Sequence, residues 1–159
     1  MKKIIVFVLT ILVLNLFGQD GSFDYASYQD YTLEQINAAN AEYLKKYGKG
    51  GSSWHLSKYK IRIKLENYTS PIDKGSLNIL ENYKRLANLS DAFTSTYQNE
   101  MIINYKGRRY CFLFQKNVAP FLEKEVKIGD NVDLFVISGF YNSFNNTNTI
   151  LVTDFRALN

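Results

Sequence analysis

One histidine, one cysteine and fifteen acidic residues are the metal-ligating side chains of this 159-residue chain, and the histidine and cysteine its sharpest candidates for nucleophilic chemistry. His55 would have to anchor any metal site together with carboxylates, yet neither an H-x-x-x-H nor a D-x-D-x-D-G spacing occurs. No metal and no cofactor are expected. Cys111 with His55 could form a nucleophile-and-base pair. Cys111, however, sits within Tyr110-Cys111-Phe112-Leu113-Phe114, an apolar run rather than a helix N-terminus that would draw out a thiol proton. It reads as a small buried hydrophobe, and alone it forms no intramolecular disulfide. Glycosidic hydrolysis uses paired carboxylates. Glu123 and Glu125 alternate with Lys124 and Lys127 in a solvated stretch, and Asp130 follows Gly129 as a turn residue does. That leaves Asp133 and Asp154, on neighbouring last strands, as the pair to inspect for hydrolysis. Lys106 to Leu113 begins like an RNA-binding RNP1 pattern. It has Arg108 and Arg109 where an aromatic and a small residue belong, and Leu113 where the last aromatic belongs, so no nucleic-acid partner is expected.

Binding rather than catalysis is suggested between Gly139 and Thr149. There Tyr141 and Phe144 stand among Asn142, Asn145, Asn146 and Asn148. An aromatic face stacks on the apolar face of a sugar or on a peptide, while an amide both donates and accepts. Tyr141, Asn142, Phe144 and Asn145 are the candidate ligand-binding residues. The same stretch also reads as an ordinary surface loop with its rings tucked against the domain.

The elements that would carry these residues follow from periodicity. An arm from Gln19 to Asp30, loose or laid on the domain, precedes Thr32-Leu33-Glu34-Gln35, a capping box. A helix with Leu33, Ile36, Ala39, Asn40, Tyr43, Leu44 and Tyr47 on one face follows and stops at Gly48. Lys49 to Ser53 is a flexible link. Trp54 to Tyr68 alternates as a strand, with Ile61, Ile63 and Leu65 opposite Lys60, Arg62 and Lys64. Ser76 to Tyr97 carries one or two amphipathic helices, the second restarting at Ser90-Asp91. Met101–Tyr105 and Arg109–Gln115 make a hairpin about Lys106-Gly107-Arg108. A short helix after Pro120, a turn at Gly129-Asp130, a strand from Asn131 to Gly139 and a last strand from Thr149 to Phe155 complete the chain.

This makes five strands with helical decoration, the element count of an OB-like barrel. From about Arg85 to Phe155 the chain resembles small exported bacterial OB-fold-like domains of uncharacterised function. The matching stretches are Glu100 to Tyr110, Phe114-Gln115, Gly129-Asp130-Asn131-Val132-Asp133-Leu134 and Val152-Thr153-Asp154-Phe155. The expectation is an α+β, mainly β chain: a five-stranded OB-like barrel with an N-terminal helix and a helix pair. An SH3-like or open antiparallel sheet is the alternative. In the OB order the Gly139–Thr149 loop joins strands four and five, beside the usual ligand site.

Lys2 and Lys3 before an apolar run from Ile4 to Phe17 have the order of a secretory signal, too short for the roughly 20 residues of a membrane-spanning helix. Cleavage is expected between Gly18 and Gln19, where no cysteine stands to carry a lipid, so a lipoprotein is not expected. The domain plan is thus a signal peptide over 1–18, arm, helix and link over 19–53, and the barrel over 54–159. Without Lys2 and Lys3, 19 basic residues become 17 against 15 acidic, too even a balance to imply a polyanionic partner. The expected protein is a periplasmic or secreted non-catalytic binding module for a glycan, a peptide or an envelope protein. A hydrolase acting on glycan or peptide is the rival.

Overall fold

The structure, a computed structural model, describes residues 23–55 and 57–158. The expected signal segment and its cut lie outside the described residues. Among these, eight strands form one sheet: β1 Gln29–Tyr31, β2 Ser52–His55, β3 Tyr59–Lys64, β4 Ser70–Pro71, β5 Tyr97–Tyr105, β6 Arg108–Gln115, β7 Asn131–Asn142 and β8 Thr147–Ala157. Their order is β1-β3-β7-β8-β6-β5-β4, and β2 pairs with the far end of the same β7 that carries β3. Four α-helices accompany them: α1 Leu33–Tyr47, α2 Lys74–Ala87, α3 Asp91–Thr96 and α4 Ala119–Glu125.

The class is α+β, but the five-stranded OB-like barrel is not what forms. The sheet is open, with β1 and β4 at its edges, and it is mixed because β1–β3 and β6–β8 pair in parallel. Closing a barrel requires the edge strands to pair with each other along their length. Here one edge is three residues long and the other is two, ending in Pro71, which has no N–H to give.

Local chemistry explains most element boundaries. Thr32 Oγ1 accepts from the Gln35 N–H and Gln35 Oε1 from the Thr32 N–H, closing the capping box of α1, and the helix ends at Gly48 with φ +73°. Lys106 and Gly107, both at positive φ, form the two-residue turn that matches strand twist between β5 and β6. The expected link and the strand after it are arranged differently. Ser52 and Ser53 belong to β2, and β2 and β3 lie end to end along β7. At the other hairpin, β7 continues past Gly139 to Asn142 and β8 starts at Thr147, leaving only Ser143–Asn146 as the turn.

Both faces of the sheet are covered, which is why β6 is apolar without alternation. Tyr110, Phe112 and Phe114 join Ile61, Ile63, Leu134 and Val152 in a core closed by Leu33 and Ile36 of α1 and Leu122 of α4. Cys111 and Leu113 face the other way, into a second core with Leu80 of α2 and Phe93 of α3. The rings of Phe23, Tyr25 and Tyr28 gather on Phe135, so the N-terminal arm is laid against the sheet. A register shift in β7–β8 resets the alternation, letting Val152 and Phe155 enter the same core though three residues apart.

Candidate functional site

The four candidate residues flank one turn but do not share one surface. Tyr141 is still in strand β7 and is 1% exposed. Its ring meets Tyr43 of α1 edge-on, with centroids 6.2 Å apart. Its hydroxyl donates to Asn146 Oδ1 (3.1 Å) and accepts from Arg108 Nη1 (3.3 Å), while Asn146 Nδ2 donates to the Gly107 carbonyl (3.1 Å). Tyr141 therefore ties this hairpin to the β5–β6 turn. Phe144, at the tip, is 76% exposed.

The tip is braced from both sides. Asn142 Oδ1 accepts the Phe144 N–H at 2.9 Å, an Asx turn that sets the backbone leading into the ring. Ser143 Oγ accepts the N–H groups of Gly50 and Gly51, both at 3.0 Å, and donates to the Gly51 carbonyl at 2.7 Å. The loop after α1 is thus stitched to the hairpin. Gly50 lies at φ +116°, where glycine is favoured, and a Cβ on Gly51 would displace the Tyr43 hydroxyl. Asn145 is exposed, and its carbonyl accepts from Thr147 Oγ1. Asn142, Phe144 and Asn145 are brought together, and Tyr141 is withdrawn beneath them. Ser143, Gly50 and Arg108 were missed in the sequence because each acts through a partner far along the chain.

The residues considered for catalysis are otherwise engaged. Asp133 is fully buried; Arg62 holds it through Nε (2.7 Å) and Nη2 (3.2 Å), and Arg156 through Nη2 (3.0 Å). Burial works to raise its pKa, but the two guanidinium groups outweigh that and hold the carboxyl below its ordinary value. Asp154 accepts from the Tyr25 hydroxyl at 2.9 Å, and the register sets it opposite Phe135 rather than Asp133. The two carboxylates therefore have separate hydrogen-bond partners.

Cys111 donates to Glu100 Oε2 and lies 3.3 Å from Ser76 Oγ, with burial pushing its thiol up to about 12. The His55 side chain lies outside what is described. Its backbone, on β2, is separated from β6 by β7 and β8, three strand spacings or roughly 14 Å. Asp130 Oδ2 accepts the Lys127 N–H within the turn it was expected to make. Among the described residues, no three His, Cys, Asp or Glu cluster as metal ligands would.

No protein-family model matches this chain, and no curated protein matches it in sequence.

Proposed function

We propose that this chain is an exported, non-catalytic interaction module that presents the β7–β8 hairpin tip to a peptide segment of an envelope protein. The observation that carries the reading is Phe144, a large apolar ring 76% exposed on a turn whose backbone is fixed by Asn142 and Ser143. Exposed aromatics on rigid supports make binding anchors, because little conformational freedom is lost when they enter a partner's pocket. Asn145 beside it offers an amide for the peptide backbone. The ends of α1 and the hairpin are joined through Ser143, which puts Tyr47, also exposed at 62%, at the same end of the molecule. The Lys2-Lys3 and Ile4–Phe17 pattern supports export. Among the described residues no helix is long and apolar enough to cross a membrane.

Expression of the whole chain in a bacterium, followed by intact-mass measurement, is expected to find a shortened product beginning near Gln19 outside the cytoplasm. Panning that product against a displayed peptide library is expected to select peptides rich in apolar and aromatic side chains whose affinity falls at least tenfold with Phe144→Ala, about 1.4 kcal/mol or more. Selected peptides that bind Phe144→Ala as tightly as the parent would remove the tip from the reading. Saturable binding to a glycan array with no peptide selected would move it to sugars.

A further inference from the structure

The charge of this chain is nearly even in number but uneven in placement. The two stretches that build the hairpin end of the molecule, residues 43–55 and 139–149, contain Lys45, Lys46 and Lys49 and no carboxylate. All three lysines are exposed, and among the described residues none of them makes an ion pair. Lysines in the last turn of a helix complement its dipole, which accounts for Lys45 and Lys46 in α1. Lys49 lies beyond Gly48, outside the helix, and has no such role. Glu42 precedes this stretch on α1, and Glu34 is occupied by Lys106 at 3.3 Å.

Two of these cations flank the exposed rings. Tyr43, Lys46 and Tyr47 fall on one face of α1 by their spacing of three and four. The Tyr43 and Tyr47 rings lie 5.0 Å apart, and Lys46 Nζ stands 5.0 Å from the Tyr47 ring centroid. Tyr43 meets Tyr141 and donates its hydroxyl to the Ser52 carbonyl at 3.2 Å, which seats this face of the helix on the hairpin. Across the link, a Cβ built on Gly50 would lie 3.5 Å from Phe144 Cζ, so the Phe144 ring rests beside the backbone that follows Lys49. Tyr47 with Lys46, and Phe144 with Lys49, are thus two exposed ring-and-cation sets joined by residues 48–51.

We infer that the segment this end captures is acidic, with carboxylates facing Lys46 and Lys49 on either side of an apolar or aromatic side chain that packs on Phe144 and Tyr47. The inference rests on the peptide reading of the hairpin tip and adds the partner's charge to it. Cations at the exposed rim of an interface chiefly raise the association rate and exclude wrong partners, and salt screens them within about 8 Å at physiological strength. A basic segment would meet like charge in a stretch that holds no carboxylate to offset it. An anionic bilayer is the other negative surface an exported protein meets. It is read by clusters of about 4–8 cations, more than these rings carry beside them.

The test uses three displayed peptide libraries, alike except at one set of fixed positions that holds Asp and Glu, Asn and Gln, or Lys and Arg, with phosphatidylglycerol vesicles as a lipid arm. The exported product is expected to enrich the acidic library. At low salt its binders are expected to lose about tenfold in affinity, mostly as slower association, when their Asp and Glu become Asn and Gln. Salt of about 0.5 M is expected to erase most of that difference. Lys46→Glu with Lys49→Glu is expected to keep the fold, both side chains being exposed, while weakening the acidic binders at least tenfold and turning selection toward the basic library. Lys46→Gln with Lys49→Gln is the milder pair should the reversal disturb the end of α1. Lys124→Glu with Lys127→Glu changes net charge equally just before the start of β7, whose other end leads into the hairpin, and is expected to leave the preference standing. The inference is overturned if the neutral library is enriched equally, if the distant pair matters as much as the near one, or if the vesicles bind while no library is enriched. Neutral binders that still need Phe144 would overturn the charge preference and keep the tip. Acidic binders that need Lys46 and Lys49 but not Phe144 would support the charge preference and remove the tip.

Discussion

Tyr141 and Phe144 are three residues apart in a run of similar composition, yet one is a core ring and the other the most exposed large hydrophobic described. Their mutational costs should diverge accordingly. Tyr141→Ala empties a space beside Tyr43 and leaves Arg108 and Asn146 short of a partner, and is expected to cost about 3–5 kcal/mol in urea unfolding. Phe144→Ala is expected to stay within about 0.5 kcal/mol, as surface changes do. The sequence marked both as candidates because the composition of Gly139–Thr149 is that of a loop. Only the pairing of Tyr141 with Asn148 and Ser53 shows that the ring belongs to a strand. Cys111 was legible, since its burial follows from its apolar neighbours. In the fold burial keeps the thiol protonated up to about 12, whereas an unfolded thiol ionises near 9.0. Its contribution is therefore complete below pH 9 and is lost as pH rises toward 12. Cys111→Ala is expected to show a shallower fall in stability over that interval, measured by denaturant midpoints at successive pH values.

Among the elements, β7 is held to β3 and β8 by one charge cluster as well as by backbone ladders. The register sets Arg62, Asp133 and Arg156 side by side across three strands. Asp133→Ala is expected to cost about 1–3 kcal/mol rather than the larger penalty of breaking a wholly buried pair. The Arg62 and Arg156 side chains are 60% and 49% exposed and can return to water. Because the native carboxyl is held below its ordinary value, the cluster's contribution is present at neutral pH and lost as pH falls through the folded value. The variant's acid unfolding limb should be shallower, as followed by circular dichroism. Elements set by neighbours in sequence were readable: the Thr32–Gln35 box, the Lys106-Gly107 turn and the Pro120 helix start. Those set from afar were not. Ser52 and Ser53 read as a link because their strand character comes wholly from pairing with Asn142 and Tyr141. Asn40, whose amide donates to Asn148 Oδ1 at 2.7 Å, gave no sign of that partner across 108 positions.

For the whole molecule, the expected boundary at residue 54 falls inside β2, and the segment before it is not an appendage. Leu33 and Ile36 cap the principal core, β1 pairs with β3, and Tyr43 packs on Tyr141. A truncated chain of 54–159 is therefore expected to lack a cooperative thermal transition and the dispersed amide spectrum of a packed fold. A sharp transition in that fragment would show that the sheet stands without α1. The barrel expectation failed at this scale because an element count does not fix strand order. The parallel partner of β6 is β8, which lies beyond a helix and another strand. That placement also sets a timetable. Among the described strands, the backbone ladders of β1, β2, β3 and β7 on one side and of β6, β5 and β4 on the other are joined only through β8. A ribosome adding about 5–20 residues per second delivers β8 last of the eight. Until then local hairpins can flicker but the two halves share no ladder. The ladder that spans the whole sheet can therefore close only once residues 147–157 are present, its keystone.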